Sequence, residues 1–591
     1  MGIRKLLMVF LLVFASQSSA YTTHIMAPAV LIGIDRGALT SISLNATPGN
    51  GTVAVNSGSP DVANNTLQSI RTAITYATSY LNLKRDSYNF NITIGSNGMN
   101  ISGPSAGLAF TLLAISALEQ KGLSSNFTVT GTISANGSVG PIGGIFDKVQ
   151  AARSGNSRFI IAPYVDNASA EYMLYYLSQQ AYDTPVAEVQ NVSQAIPYAF
   201  GNADPVNLQY NITTDYHVDS MRNASAVCPS CNGSAFAPLA NFTFNFTSNE
   251  IGLINGTMFG SVKSQLYNQL AQAEQLSSKG YLYTGADLAF IEYPTAVVFA
   301  NYNVSANQAK SIASNISSYC ASINNPPQMT SANYEMIIGA EMRVSWAMAT
   351  LSGVSADLNA SQTSDGILLA LESAAPAYAW CAAANRMYNI SSGMGGNAIE
   401  SNGNTEAMAS SELSAAEKKY GNRFYVSAAE YSFNNSDYGA ALYSLAYADV
   451  FYNPSASQNA MNDTPALVSG RLLSASGVWP SLFAMQSYFY LIQANLSKPG
   501  SGIYDSYISD AHTTAELSAE LQSADAYLQG NFMPFSGPSA YAVNVSSQLI
   551  NMQGQIRLLF GVAALEFVIL MVVIIVLLIH MRGRGKKRGK R

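Results

Sequence analysis

The sequence is poor in histidine, cysteine and charge, and each shortage removes a class of chemistry. Its 591 residues include four histidines, His24, His217, His512 and His580, too scattered for metal-ligand or triad spacing. A Ser-His-Asp hydrolase and a histidine metal centre are therefore not expected, and neither is a metal or cofactor. No Gly-x-x-x-x-Gly-Lys-Ser/Thr loop occurs, so the chain has no P-loop to cradle a nucleotide phosphate. Charged residues make up 11% of the chain and hydrophobic ones 48%. Setting aside seven basic residues at the C-terminus leaves 22 basic against 35 acidic ones, a balance that gives no reason to seek nucleic acid. The four cysteines, Cys228, Cys231, Cys320 and Cys381, are an even set that suits disulfides better than a zinc site. Cys228-Pro229-Ser230-Cys231 has redox-motif spacing, but it lies in a polar linker without a strand-helix context, so a structural bridge is expected.

The two ends are where the long apolar runs lie. Residues 1–20 read as a signal peptide: Arg4 and Lys5 precede an apolar run to Phe14, and Ser18-Ser19-Ala20 offers a cleavage site. Leu558 to Ile579 is apolar except for Glu566 and long enough at the helical rise to cross a hydrocarbon core, which predicts a transmembrane helix over 556–580. The basic residues of 581–591, from Arg582 to Arg591, place that end in the cytoplasm by the positive-inside rule. The chain between is then expected outside the membrane. Asn-x-Ser/Thr sequons such as Asn45, Asn126, Asn241 and Asn544 fit an exported, glycosylated surface.

What is present is a serine and a lysine in informative settings. Gly103-Pro104-Ser105-Ala106-Gly107 breaks the chain just before the apolar run Leu108 to Ala114, so Ser105 is expected at a helix N-terminus. Free N–H groups there, from Gly103, Ser105 and Ala106, suit an oxyanion hole. Pro141-Ile142-Gly143-Gly144 signals a turn that delivers Lys148 early in another helix, among the apolar residues Ile145, Val149 and Ala152. Burial of that kind keeps a lysine neutral, and a neutral lysine can take the proton from a serine hydroxyl.

The order of segments around these two residues is specific. Ile34 to Thr40 and Pro48 to Gly51 come first, then Asn91 to Ile94, Gly103 to Gly107, Val129 to Ile133, Gly140 to Gly144, Lys148 to Ala152 and Phe159 to Pro163. The series, with Ser105 and Lys148 separated by 43 residues, resembles the proteolytic domain of Lon proteases from near Ile25 to near Gly201. The resemblance implies an α+β proteolytic fold over 21–201, Ser105 as nucleophile, Lys148 as base, Thr130 as the threonine that hydrogen-bonds and orients the lysine, and a hexameric ring. Two positions depart from the family pattern: Ser102 replaces an acidic residue before Gly-Pro-Ser, and Thr132 replaces a glutamate. The lack of a P-loop means that the ATPase of ordinary Lon proteins is missing from the chain.

After a linker-like stretch over 202–256, in which alternating Phe242-Thr243-Phe244-Asn245-Phe246 suggests a strand, the chain changes character. Over 257–555 Ala, Leu, Tyr and Met recur at three- and four-residue spacing, with breaks near Gly280, Asn325 to Pro327, Gly395, Asn434 and Pro499. A mostly α-helical, solenoid-like domain is expected. Ala273 to Leu288 and Ala429 to Leu442 look distantly alike, each suggesting a helical hairpin.

The reading is a membrane-anchored, outward-facing, ATP-independent serine endopeptidase acting on peptides or unfolded proteins. Its layout resembles an archaeal surface protein more than a bacterial one. A non-catalytic surface scaffold that keeps the fold is the alternative. A small-molecule kinase of related fold is a weaker third, because Gly-Pro-Ser-Ala-Gly is too short to wrap a nucleotide.

Overall fold

The computed structural model describes residues 21–534 except 32–35, 58–61, 96–102, 454–457 and the single positions 168, 213, 230, 232, 233, 324 and 362. The expected signal peptide, transmembrane helix, basic tail and Ser102 lie outside the described residues.

The N-terminal region is built on a seven-stranded mixed sheet. β1 (Thr22–Leu31) and β2 (Arg36–Pro48) form a long antiparallel pair, followed by β3 (Val53–Ser57) and, after helix α1 (Asn64–Tyr80), by β4 (Tyr88–Gly95). Helix α2 (Gly107–Glu119) leads to β5 (Phe127–Val129) and the small hairpin of β6 (Thr132–Ile133) and β7 (Val139–Gly140). Helix α3 (Ile145–Ser154), β8 (Phe159–Pro163), helix α4 (Ala170–Tyr182), β9 (Val186–Val189) and helix α5 (Val192–Ala199) complete it. The strand order is β3-β4-β2-β1-β5-β8-β9, with β1, β5, β8 and β9 parallel to one another.

Burial explains the layers. Apolar residues at alternate positions of β1, β2 and β4, such as Ile25, Ile42, Leu44, Phe90 and Ile92, join α1, α2 and α5 in one core. Helix α2 is apolar on all sides, and its residues from Gly107 to Ala117 are buried. All five residues of β8 are buried as well, as in a strand covered on both faces; α3 packs against β1, β2 and β8 outside that core, and α4 packs on α3.

Beyond α5 the chain runs without strand or α-helix to Asn223 and lies along the helices that follow. Gln265 accepts from Ile212 N–H and donates to the Tyr210 carbonyl, and Gln493 accepts from His217 N–H. A short helix α6 (Ala224–Val227) precedes α7 (Ala237–Leu253). The strand expected over 242–246 is therefore part of a helix, and the helical region begins about twenty residues before 257. The alternating phenylalanines also satisfy helical spacing, since the rings of Phe242 and Phe246 meet at a tilt one turn apart.

The helices continue as α8 (Gly260–Ser278), α9 (Leu282–Ala300), α10 (Ala306–Ser322), α11 (Tyr334–Ala360) and α12 (Ser364–Ser391). Strand β10 (Ile399–Ser401) comes next. The last helices are α13 (Gly403–Tyr420), α14 (Phe424–Asn434), α15 (Tyr438–Tyr452), α16 (Gln458–Ser474), α17 (Val478–Leu496) and α18 (Gly502–Gly530), and strand β11 (Phe532–Pro534) pairs back with β10. Four of the five expected breaks fall between helices, and the fifth, at Asn434, is the last residue of α14. Each of the two similar stretches is a helix-turn-helix, α8 with α9 and α14 with α15.

Among the described residues one helix, α12, is long and apolar enough to cross a membrane, and most of its apolar stretch is buried inside the protein. The cysteines pair as Cys228–Cys231 and Cys320–Cys381, the second tying α10 to α12. Among the described residues no group of three or more His, Cys, Asp or Glu side chains could hold a metal ion.

Candidate active site

Helix α2 begins at Gly107 with Ala106 as its N-cap, so Ser105 lies one residue ahead of the cap rather than at the helix terminus itself. The turn that carries it is clamped from both sides. On one side the first turns of α1 hold it: Asn65 Oδ1 accepts from Gly103 N–H at 3.3 Å, Thr66 Oγ1 donates to the Gly103 carbonyl at 3.1 Å, and Ser69 Oγ donates to the Pro104 carbonyl at 3.2 Å. On the other, the residues after β5 hold the serine's own carbonyl, which accepts from Gly131 N–H at 2.7 Å and from Thr130 Oγ1 at 3.2 Å. Gly103 has φ of +111°, a backbone conformation that side-chain-bearing residues rarely adopt, which is why a glycine opens the turn.

This accounting sorts the candidate oxyanion donors. The Gly103 N–H is taken by Asn65. Among the described residues neither Ser105 N–H nor Ala106 N–H has an acceptor, so these two donors remain to meet a developing oxyanion. Ser105 itself is partly exposed.

Lys148 lies in the second turn of α3 and is 3% exposed. Burial lowers its pKa to about 8, against the opposing pull of two carboxylates, Asp365 and Asp147. Among the described residues no hydrogen bond joins Lys148 Nζ to Ser105 Oγ or to Thr130. The structure thus brings Thr130 to Ser105, through the serine's backbone, and places Lys148 beside Asp147 and Asp365. The Thr130 proton goes to the Ser105 carbonyl instead of serving the lysine, and the lone pairs of its oxygen stay available to an ammonium donor.

Five residues of this assembly were not picked out by sequence reasoning: Asn65, Thr66, Ser69, Asp147 and Asp365. Thr66 and Ser69 are buried polar residues on one face of an otherwise amphipathic helix, and their spacing of three was the available signal. Asp365 reads in sequence as an ordinary first-turn acid of a long helix, with nothing local to show that it faces another one.

The helical region carries a different kind of concavity. A cavity of about 350 Å³ is walled by aromatic rings, including Phe290, Trp346, Trp380, Tyr425 and Phe483, with Asp287 among them. Burial pushes the Asp287 carboxyl up to about 6, although Gln486 donates to it at 2.8 Å. Many of the tyrosines that recur at helical spacing pack against other rings, as interhelix contacts.

Comparison with known proteins bears on the sheet region. Residues 31–197 match the Lon protease (S16) C-terminal proteolytic domain. A Lon protease of Lawsonia intracellularis is 28% identical over 195 residues, 31% of this chain and 23% of the relative. Lon protease 2 of Bacillus subtilis is 36% identical over 84 residues, 14% of this chain and 15% of the relative. A Lon protease of Buchnera aphidicola is 24% identical over 169 residues, 27% of this chain and 22% of the relative. The chain spans about a fifth of the length of these relatives. The match to a Lon proteolytic domain supports serine peptidase function, and the sheet region followed by helices is consistent with that fold.

Proposed function

We propose that the chain is a serine endopeptidase in which Ser105 and Lys148 form the catalytic dyad. The observation that carries this is a buried lysine early in α3, held near the pH at which it loses its proton, inside the segment that matches a Lon proteolytic domain. At pH 7 a lysine with a pKa of about 8 is neutral in roughly a tenth of molecules, whereas an ordinary surface lysine is almost wholly charged.

Lys148 takes the Ser105 proton as Oγ adds to the scissile carbonyl carbon, and the N–H groups of Ser105 and Ala106 receive the oxyanion. The carbon–nitrogen bond then breaks, and Lys148 returns the proton to the departing amine. Water, deprotonated by the same lysine, hydrolyses the acyl-enzyme and restores the serine. No P-loop is present in the sequence, which favours hydrolysis without ATP. Substrates are then peptides or unfolded segments that reach the site unaided. The apolar run with its basic flank near the C-terminus and the leader-like residues 1–20 support an outward-facing enzyme anchored by one helix. Assembly into a hexameric ring rests on the family resemblance.

The test is the intact mass of the full chain after exposure to a fluorophosphonate, beside S105A and K148A. A single adduct on Ser105, absent in S105A and suppressed in K148A, is the expected result. Absence of any adduct on a folded wild-type chain would overturn the dyad and favour a binding scaffold.

A further inference from the structure

Four hydrogen bonds join the helix of the catalytic lysine to a helix from the other region of the molecule. The N-cap of α3 is Gly144, which has no side chain to satisfy the first N–H groups of the helix. Asp365, in the first turn of α12, does so from outside: Oδ2 accepts from Ile145 N–H at 2.7 Å and Oδ1 from Phe146 N–H at 2.8 Å. The arrangement is reciprocal. Asp147, in the first turn of α3, accepts from Ser364 N–H at 3.0 Å and from Ser364 Oγ at 2.6 Å, at the start of α12. Two helix N-termini, each with the positive end of a dipole, face one another and exchange carboxylates.

We infer that Asp365 is a positioning residue for Lys148: it fixes the first turn of α3 and sets the negative charge that the lysine faces. The inference rests on the Ser105/Lys148 reading. A carboxylate accepting two backbone N–H groups holds that turn in one orientation, and Lys148 follows immediately from it. The approach is close on the third side as well. A Cβ added to Gly37, in β2, would lie 2.0 Å from the Asp147 carbonyl oxygen, so α3 cannot move toward the sheet to accommodate a change.

The charges around Lys148 are few. Asp147 comes from its own helix and Asp365 from α12. From α4 come Tyr182, whose ring stands edge-on to Phe146, and Tyr175; burial holds both hydroxyls protonated. β2 contributes Arg36, exposed at its start. Among the described residues of the other strands packed on α3, β1 offers only His24, at the far end from Val30, which touches Gly144, and β8 offers none. Burial and the neighbouring Asp147 raise the Asp365 carboxyl to about 6, so it is ionised where the lysine titrates.

The experiment is the rate of Ser105 phosphonylation by a fluorophosphonate as a function of pH, in the full chain. Wild type is compared with D365N, D365E and K148A. Loss of the Asp365 charge removes a stabiliser of the protonated lysine, so in D365N the acid limb is expected to move down by half a pH unit or more while the maximal rate falls. D365E, which restores the charge with a longer arm, is expected to return the limb to its wild-type position. Should D365N fail to fold, D365S is read in its place, because it removes the charge with a smaller side chain that the space of the carboxylate admits. A folded D365N or D365S with a wild-type profile and rate would overturn the role of Asp365. A lower rate with an unmoved limb would also overturn it, since that is what a purely structural contact gives. Wild-type labelling in K148A would instead overturn the dyad, and a silent K148A beside an unchanged D365N separates the two failures.

Discussion

In the sheet region burial falls on a lysine as well as on the carboxyls Glu171 and Glu188, and in the helical region it falls mostly on carboxyls. Lys148 is pushed down to about 8 by loss of water. Across α7 to α18 the same loss of water pushes acids up: Glu250 and Glu292 to about 7, Asp287 and Asp437 to about 6, and Glu341 well above the usual carboxylate range, with the charge of Asp437 adding to its shift. Near the end of the chain Asp525 rises through burial and the neighbouring Glu335, which accepts from the N–H groups of Val478 and Trp479. Desolvation favours the neutral form in each case. The sheet region therefore holds the base that burial readies to accept a proton, and the helical region holds most of the acids that tend to keep theirs. The two meet at the junction of α3 and α12.

The comparison breaks most decisively at the chemistry. S105A and K148A are each expected to cut peptide turnover about 10⁴-fold or more, with unchanged circular dichroism. If either kept substantial activity, the sheet region would not be the seat of the reaction.

Next in size is the bridge between α10 and α12. Cys320 and Cys381 are 61 residues apart, and opening a loop of that length costs roughly 4 kcal/mol of stability in the chain-entropy account. Replacing both by alanine should lower the urea midpoint of the helical region. Because α12 also carries Asp365, Ser105 labelling should fall in the same range of urea; labelling that outlasts the loss of the helical signal would show the two regions to be independent.

A smaller effect is expected for Gly37→Ala, whose new methyl would press on the Asp147 carbonyl. Overpacking of this kind costs about 1–3 kcal/mol, read as a lower urea midpoint, and slower labelling of Ser105 should accompany it. A variant as stable and as reactive as wild type would mean that α3 can shift.

The smallest effect separates the regions by sign. A carboxyl whose folded pKa is raised contributes stability that is fully present below its unfolded value near 4 and is lost as pH rises through the folded value. For Glu250, Glu292 and Asp287 that window runs from about pH 4 to 7, so the helical region should melt several degrees lower at pH 8 than at pH 5. For Lys148, with its folded pKa depressed, the sign reverses: the sheet region gains stability between pH 8 and 10.5. Melting followed separately in the two regions checks this, and parallel trends would contradict it.

Local signals explain how much of this was legible in advance. The resemblance to Lon proteolytic domains made Phe159–Pro163 the strand after the lysine helix, and it is β8, an apolar run buried at all five positions. The glycine and proline breaks placed the ends of the helices. Where a pattern fits two periods it misled, as with the alternating phenylalanines of α7. Features that depend on distant partners left no trace: nothing near Asp365 says that it faces α3, and nothing in Asn65-Thr66 says that it will hold Gly103.

The exchange of carboxylates between α3 and α12 also sets a clock. Asp147 and its partner Ser364 are 217 residues apart in the chain. Ribosomes add about 5–20 residues per second, so roughly ten to forty seconds of synthesis separate the two halves of that contact. Throughout that interval the helix bearing the lysine lacks its cap, and the nascent chain emerges before the proposed site is complete.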